Sequence, residues 1–185
     1  MSVSDVLTRI AQIEALAAPA VAPPAPAAAP TTSFSDALAQ AGSSGTGARA
    51  LAAAETQVGQ TEQPSGSNDG PAIGHYRGAF AGAVAGAPWC AYFASWAAAQ
   101  GGAPLGDAGQ GLGSVSAIAD WARRSGRLVS APQPGDLILF GSQHVGIVES
   151  VNADGSLTTV EGNEGDAVTR RSRAAGEATG FVRLG

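Results

Sequence analysis

Residues 87–96 read "APWCAYFASW" and contain the only cysteine of the chain, Cys90. The proline before this cysteine, with Gly101 and Gly102 further on, predicts a helix that begins at Pro88. Cys90 then lies in the first helical turn, where unpaired backbone N–H groups and the helix dipole favour an anion. The position suits a thiolate nucleophile, although a lone cysteine is also commonly a small buried apolar residue.

The composition narrows the class of protein. The chain has 185 residues and a net charge of −5, and all its basic residues are arginine. This length suits one domain with a tail, and a mildly acidic chain without a basic block argues against a nucleic-acid partner. One cysteine excludes an internal disulfide, and the two histidines give no recognisable Cys/His zinc spacing. No segment has the roughly 18 uninterrupted apolar residues of a membrane span.

Composition also divides the chain near residue 46. Residues 2–16 carry apolar side chains at helical spacing and predict a short amphipathic helix. Residues 19–30, "PAVAPPAPAAAP", predict a semi-rigid linker. We therefore expect residues 1–46 to form a flexible N-terminal tail, either a tethered recognition segment or a disordered extension. Residues 47–185 are expected to form the folded domain.

Within that domain, the apolar period changes from helical to alternating near residue 127. Helices are predicted in "GARALAAAETQVGQ", from Pro71, around Cys90 and in "SVSAIADWARRSG". Candidate strands follow in "DLILF", "HVGIVESV", "SLTTVEGN", "AVTRRSR" and "GFVRL", which are separated by turn residues. Helices followed by an antiparallel sheet predict the α+β class.

A thiol nucleophile needs a base, and His75 and His144 are the two histidines of the chain. His75 lies in "PAIGHYRGAF", which offers no carboxylate to orient its ring. His144 opens a predicted strand and is followed by acidic and amide side chains on the next one. We therefore predict that His144 is the base and that His75 packs on a helix or lines the cleft.

The predicted hairpin brings His144 near a carboxylate. If Val151 faces Ser156 across a four-residue loop, His144 lies opposite Asn163, with Glu161 one diagonal step away on the same face. A two-residue loop keeps these faces, whereas a three-residue loop would put Glu161 on the other face. In two of the three loops, Glu161 or Asn163 can therefore orient the imidazole as the third member of a catalytic triad.

Three stretches together resemble a known family: "PWCAYFASWAAAQGG", "PQPGDLILFGSQHVGIVESV" and "TTVEGN". In order and spacing they are similar to CHAP domains, the cysteine- and histidine-dependent amidohydrolases and peptidases of peptidoglycan. The resemblance covers about residues 47–185 and implies a papain-like α+β fold. By position, Cys90 resembles the nucleophile, His144 the general base, Glu161 the residue that orients the histidine, and Asn163 a polar fourth member.

The loop before the cysteine departs from part of the family. Some CHAP domains bind calcium through an aspartate-rich loop there, whereas "GSNDGPAIGHYRG" offers one carboxylate, Asp69, beside Ser67 and Asn68. Because calcium prefers six to eight oxygen ligands, we expect no metal and no other cofactor. Trp89, Tyr76 and Asn68 are candidate substrate contacts; the alternatives are core packing for the two aromatic residues and a structural turn for Asn68.

The resemblance implies an enzyme that cleaves an amide bond in peptidoglycan. The bond is either the N-acetylmuramoyl–L-alanine amide or a peptide bond in the stem or cross-bridge, and the named residues serve both. Transamidation by the same thiol is a third possibility, but no residue identifies an acyl acceptor.

An alternative function comes from residues 1–46, which look like the N-termini of small exported proteins encoded with bacterial flagellar rods. On this reading the protein is a non-catalytic or export-tethered assembly factor of the cell envelope, and its domain is a wall-binding module. Because the N-terminus lacks the pattern of an ordinary secretory signal, we expect flagellar-type export to the envelope or the exterior.

Overall fold

The computed structural model describes Ser4 and residues 34–185, so the predicted linker and all but one residue of the predicted amphipathic helix lie outside the described residues. Residues 34–185 form one compact unit. Among the described residues, no helix is long and apolar enough to cross a membrane. The helices of this unit are α1 (Phe34–Glu55), α2 (Pro71–Arg77), α3 (Cys90–Gln100) and α4 (Val115–Arg124).

Six strands follow the helices and form one antiparallel sheet in the order β1-β6-β2-β3-β4-β5. The fold is therefore α+β and papain-like, as predicted, with Cys90 on a helix. A short 3₁₀ turn, Ala175–Glu177, precedes the last strand. The strands are β1 (Leu128–Val129), β2 (Leu137–Phe140), β3 (His144–Val151), β4 (Ser156–Glu161), β5 (Thr169–Ala174) and β6 (Gly180–Val182).

Helix α1 begins earlier than the sequence predicts, and the boundary expected at residue 46 falls inside it. Glycines allow this part of α1 to pack closely against the domain. A Cβ atom on Gly47 would lie 3.3 Å from the carbonyl oxygen of Gly135, and one on Gly101, at the end of α3, would lie 2.5 Å from that of Thr46. The Thr46 hydroxyl also donates to the carbonyl of Leu184, so this part of α1 is fastened to the domain.

Helix α3 forms the centre of the domain. Its first nine residues, Cys90–Ala98, are all buried. A helix that is apolar all round is typical of a core position, and this one lies between α1 and the sheet, with α2 also packed against it. Aromatic rings pack along it in tilted, edge-on and stacked pairs, including those of Tyr76, Trp89, Phe93 and Trp96.

The sheet is buried on both faces. Leu137, Leu139 and Val160 belong to the large cluster that contains the helices, whereas Ile138 and Leu157 belong to a smaller second cluster. Since successive strand residues point to opposite faces, the residues that alternate with Val145 and Val160 face away from the helices. His144 and Glu161 are two of these residues, and they lie at the ends of their strands.

The "PGD" turn before β2 is held by a buried ion pair. Asp136 is 3% exposed and accepts hydrogen bonds from Arg183 Nε at 3.1 Å and Nη2 at 2.9 Å. It also accepts one from the backbone N–H of Gln133 at 2.8 Å. The aspartate therefore ties the entry of β2 to the C-terminal segment after β6.

Replacing Asp136 by alanine should lower the free energy of unfolding by about 3 kcal/mol, because Arg183 and the Gln133 N–H would lose their buried partner. Urea denaturation of the full chain measures this loss. The matched control is Asp107→Ala, which removes an exposed partner of Arg124 at 3.3 Å and should change stability by less than about 0.5 kcal/mol. Equal losses in the two variants would contradict the structural role of Asp136.

Candidate active site

Cys90 is the first residue of α3. Trp89 is the N-cap, so the helix begins two residues after Pro88 rather than at it, and the thiol still lies in the first turn. The side chain is buried, and its Sγ lies 4.0 Å from the carbonyl oxygen of Gln143, in the turn that leads into β3. Pro88, two residues before Cys90, and Gln143 are both exposed.

The hairpin β3–β4 has the predicted register at His144, but its loop differs from the one assumed. Asn152 N–H donates to the Ser156 carbonyl at 2.8 Å, so the loop between these residues has three residues. By itself, a loop of this length would place Glu161 and His144 on opposite faces of the sheet. A bulge between Val148 and Ser150 shifts the register by one residue and reverses this effect.

Beyond the bulge, Ile147 pairs with Val160 and Val148 with Thr159. Continuing this register places Gly146 opposite Glu161 and His144 one diagonal step away from it. The contact is direct, because His144 Nε2 lies 2.8 Å from Glu161 Oε2. The structure thus brings together the histidine and the carboxylate that the sequence paired.

Glu161 is fully buried, and both of its oxygens are satisfied. Oε1 accepts from the Thr159 hydroxyl at 2.6 Å and from Arg173 Nε at 2.8 Å. Oε2 accepts from Arg173 Nη2 at 2.6 Å and from His144 Nε2 at 2.8 Å. Burial alone would raise the pKa of Glu161, but the hydrogen bonds from Arg173, His144 and Thr159 lower it to about 2. The carboxylate is therefore ionised at neutral pH.

An ionised Glu161 fixes the chemistry of the His144 ring. A carboxylate only accepts hydrogen bonds, so Nε2 must carry a proton, and Nδ1 is left for the thiol. Burial lowers the pKa of His144, but interactions with the side chains of Cys90 and Glu161 outweigh it and raise the pKa to about 9. The imidazole is thus held in its protonated form at neutral pH, next to the cysteine.

This pKa predicts how stability depends on pH. The folded-state value of about 9 lies above the ordinary histidine value of 6.5, so the imidazolium contributes stability that is fully present below pH 6.5 and is lost as the pH rises through about 9. Between these limits, the stability advantage of the wild type over His144→Gln should fall by about 3 kcal/mol. Urea denaturation of the two proteins from pH 6 to pH 10 measures this loss, and an advantage that stays constant over the range would contradict the raised pKa of His144.

The other predicted site residues have different outcomes. Asn163 follows β4 in a left-handed conformation with φ of 63°, and no hydrogen bond joins its side chain to His144 in the structure, so its role as a fourth site member stays a prediction. Trp89 and Tyr76 are fully buried. Trp89 Nε1 donates to Glu62 Oε1 at 2.8 Å, and the Tyr76 hydroxyl donates to a glutamine at 2.9 Å. Neither aromatic ring presents a surface to substrate, so both are corrected to core residues.

The backbone of Asn68 forms part of a turn, and the role of its half-buried side chain as a substrate contact stays a prediction. Its backbone N–H donates to Glu62 Oε2 at 2.7 Å, and its carbonyl accepts from Arg77. Asp69 accepts from the same arginine at 2.8 Å. Glu62, a buried carboxylate that the sequence analysis did not single out, thus joins this turn to Trp89, the residue before Cys90.

Arg173 and Phe140 are the other residues that sequence reasoning missed. Along the strands, Arg173 pairs with Leu157 and not with Glu161, so its contact with Glu161 depends on the length of its side chain. Phe140 is the cross-strand partner of His144, and the two rings stack with centroids 5.8 Å apart. Phe140 could have been found from the sequence, because the short turn between β2 and β3 places it opposite His144. Arg173 could not, because its strand register pairs it with Leu157.

One group of side chains offers ligand atoms for a metal ion. Atoms of His144, Glu161 and Glu164 lie within 4.8 Å of one another. However, each oxygen of Glu161 already accepts two hydrogen bonds, and Arg173 lies 3.7 Å from Glu164. A cation here would have to displace the guanidinium, so the donor set fits an ion-pair network better than a metal centre.

A thiol at a helix start, beside an imidazole oriented by a carboxylate on a papain-like fold, is an arrangement typical of cysteine-dependent hydrolases. Residues 82–163 match the family model of the CHAP domain. CHAP domains are generally amidohydrolases or peptidases that use cysteine and histidine, and the match indicates amidase-type chemistry related to peptidoglycan. Comparisons with curated proteins and with solved structures gave no match.

Proposed function

We propose that the protein is a bacterial peptidoglycan hydrolase that cleaves an amide bond by Cys90–His144–Glu161 nucleophilic catalysis. The observation that carries the proposal is the hydrogen bond of 2.8 Å between His144 Nε2 and an ionised, fully buried Glu161, with the Cys90 side chain close enough to raise the pKa of the ring. This arrangement supplies a nucleophile, a proton donor and a group that orients the donor.

In the first half of the reaction, the Cys90 thiolate attacks the amide carbonyl carbon and forms a C–S bond. Backbone N–H groups at the start of α3 stabilise the oxyanion that develops on the carbonyl oxygen. The His144 imidazolium gives its Nδ1 proton to the leaving amine as the C–N bond breaks. The acyl group remains on Cys90 as a thioester.

In the second half, water attacks the thioester while His144 Nδ1 accepts its proton. The C–S bond then breaks, the carboxylic acid leaves, and the Cys90 thiolate and the His144 imidazolium are regenerated. Throughout both halves Glu161 holds the Nε2 proton, so the ring presents the same nitrogen to the thiol and to water.

Two bonds in peptidoglycan meet these requirements: the N-acetylmuramoyl–L-alanine amide and a peptide bond of the stem or cross-bridge. To test the proposal, purified peptidoglycan of several chemotypes is digested with the full chain, and the released fragments are analysed by mass spectrometry. Cys90→Ala is the control and should release nothing above background. Release by Cys90→Ala at the wild-type rate would contradict the mechanism, and the masses of new ends would identify the bond.

The proposed place of action is the bacterial cell envelope, with residues 1–33 as an export or docking segment for flagellar or other envelope proteins. Support comes from the sequence of this segment and from the compact unit that begins at Phe34. Deleting residues 1–33 should leave hydrolysis of soluble muropeptides unchanged and abolish export from cells. Export of the shortened protein at the full level would overturn this assignment.

A further inference from the structure

The base of the proposed reaction, His144, belongs to a closed ring of four side chains in which each contacts the next. His144 donates to Glu161 at 2.8 Å, and Glu161 accepts from Arg173 at 2.8 and 2.6 Å. The guanidinium of Arg173 lies over the ring of Phe140 at 4.8 Å, and Phe140 stacks on His144 with an interplanar angle of 27°. Arg173 therefore contacts both side chains that hold the imidazole.

We propose that Arg173 is a positioning residue for His144, acting through the carboxylate of Glu161 on one side and the ring of Phe140 on the other. Its role rests on the proposed function, in which His144 must present Nδ1 to the thiol. A bidentate guanidinium–carboxylate pair fixes both oxygens of Glu161 in one plane, which a single hydrogen bond cannot do. Glu161 Oε2, which accepts from His144 Nε2, is therefore held in a single position.

Arg173 forms its closest ion pair with Glu161. Its side chain is 21% exposed and lies in a cluster with three carboxylates: Glu161, Glu164 with its Oε2 at 3.7 Å, and Glu177 with its Oε2 at 3.6 Å. The contact with fully buried Glu161 is the shortest of the three. Electrostatic interactions are strongest where water is excluded, so this contact is the one that matters most.

The groups around the pair allow a specific pH effect to be predicted. Besides Arg173, the charged or titratable groups that face Glu161 and His144 are Cys90 and Glu164, and Glu164 is in turn paired with Arg171 at 3.1 Å. Without Arg173, Glu161 keeps its burial and loses two of its four hydrogen bonds. Burial then dominates, and the carboxyl takes up a proton at higher pH.

The test compares Arg173→Gln and Arg173→Lys with the wild type in the full chain. Arg170→Gln is the matched control, because Arg170 lies on the same strand but pairs with Glu149 at 2.8 Å, away from the site. The first measurement needs no substrate: the imidazole signal of His144 is followed by NMR, with His75→Gln used to assign the two histidines. Protonation of Glu161 appears as an acid inflection of the His144 signal.

In the wild type and in Arg170→Gln, we expect no inflection above about pH 3, whereas Arg173→Gln should show one between about pH 4 and pH 6. Arg173→Lys keeps the positive charge but not the bidentate geometry, so its acid inflection should lie between those of the wild type and Arg173→Gln. It also tests the proposal if Arg173→Gln does not fold. An unchanged acid titration in both Arg173 variants would overturn the proposal.

The second measurement is the pH dependence of kcat/KM on a soluble muropeptide. The acid limb should move to higher pH by at least about one unit in Arg173→Gln, and kcat/KM at pH 7 should fall about 10- to 100-fold, mainly through kcat. An acid limb that stays at its wild-type position while Arg173→Gln is folded would contradict the role. If the wild type hydrolyses nothing but the NMR inflection shifts as expected, the proposed function fails and the positioning of His144 by Arg173 stands.

Discussion

Replacing His144 by glutamine is expected to lower kcat/KM for peptidoglycan fragments by about 10³-fold or more, because both the proton donor to the leaving amine and the base for thioester hydrolysis are lost. Glutamine can still donate a hydrogen bond to Glu161, so the carboxylate keeps a polar partner and the fold should survive. Rates are measured at pH 7 with saturating and limiting muropeptide, so that kcat and KM are separated.

The chain provides its own control for this experiment. His75 is the second histidine, and it lies exposed on α2, with its ring edge-on to Trp96 at 5.6 Å. His75→Gln should retain the full rate. A comparable loss in both variants would show that the effect is on folding rather than on catalysis. A loss in His75→Gln alone would reverse the choice of base.

Replacing Gly146 by alanine is expected to disable the site without touching a reacting group. A Cβ atom there would lie 2.7 Å from Glu161 Cγ, well inside van der Waals contact. Glu161 cannot move aside cheaply because it is fully buried and bound through both oxygens. We expect the free energy of unfolding to fall by about 2–3 kcal/mol and kcat to fall about 100-fold as Glu161 shifts away from His144.

Gly74→Ala is the matched control for this substitution. Gly74 is exposed in α2, and a Cβ atom there would meet nothing within 4 Å. Since glycine is a poor helix former, alanine should leave activity unchanged and raise stability by about 0.5–1 kcal/mol. Full activity in Gly146→Ala would mean that Glu161 tolerates displacement, and its orienting role would then be in doubt.

Much of the fold was predictable because the sequence has regular periods. The five strands predicted from alternation are present, with β3 at the predicted bounds, and β1 was missed because two residues carry no period. Helix α1 was predicted too short because glycine in the sequence indicates a break. Glycine also occurs inside helices where two backbones approach closely, as at Gly47, and the sequence alone does not distinguish this use from a helix break.

The site was predictable to the extent that it depends on local register. The pairing of His144 with Glu161 followed from counting along one hairpin, although the assumed loop was wrong and the bulge restored the result. The burial of Trp89 and Tyr76 did not follow, since an aromatic residue near a helix start suits either a cleft or a core. Arg173 reaches Glu161 past its own cross-strand partner, which no pairing rule foresees.

The bulge at Glu149 has a practical consequence for engineering the domain. It separates the part of β3 that pairs with β2 and carries His144 from the part that leads to the hairpin tip. Residues 151–155 at the tip are all exposed. A label or an affinity tag could therefore be inserted between Asp154 and Gly155, because both residues are exposed and lie at the opposite end of β3 from His144.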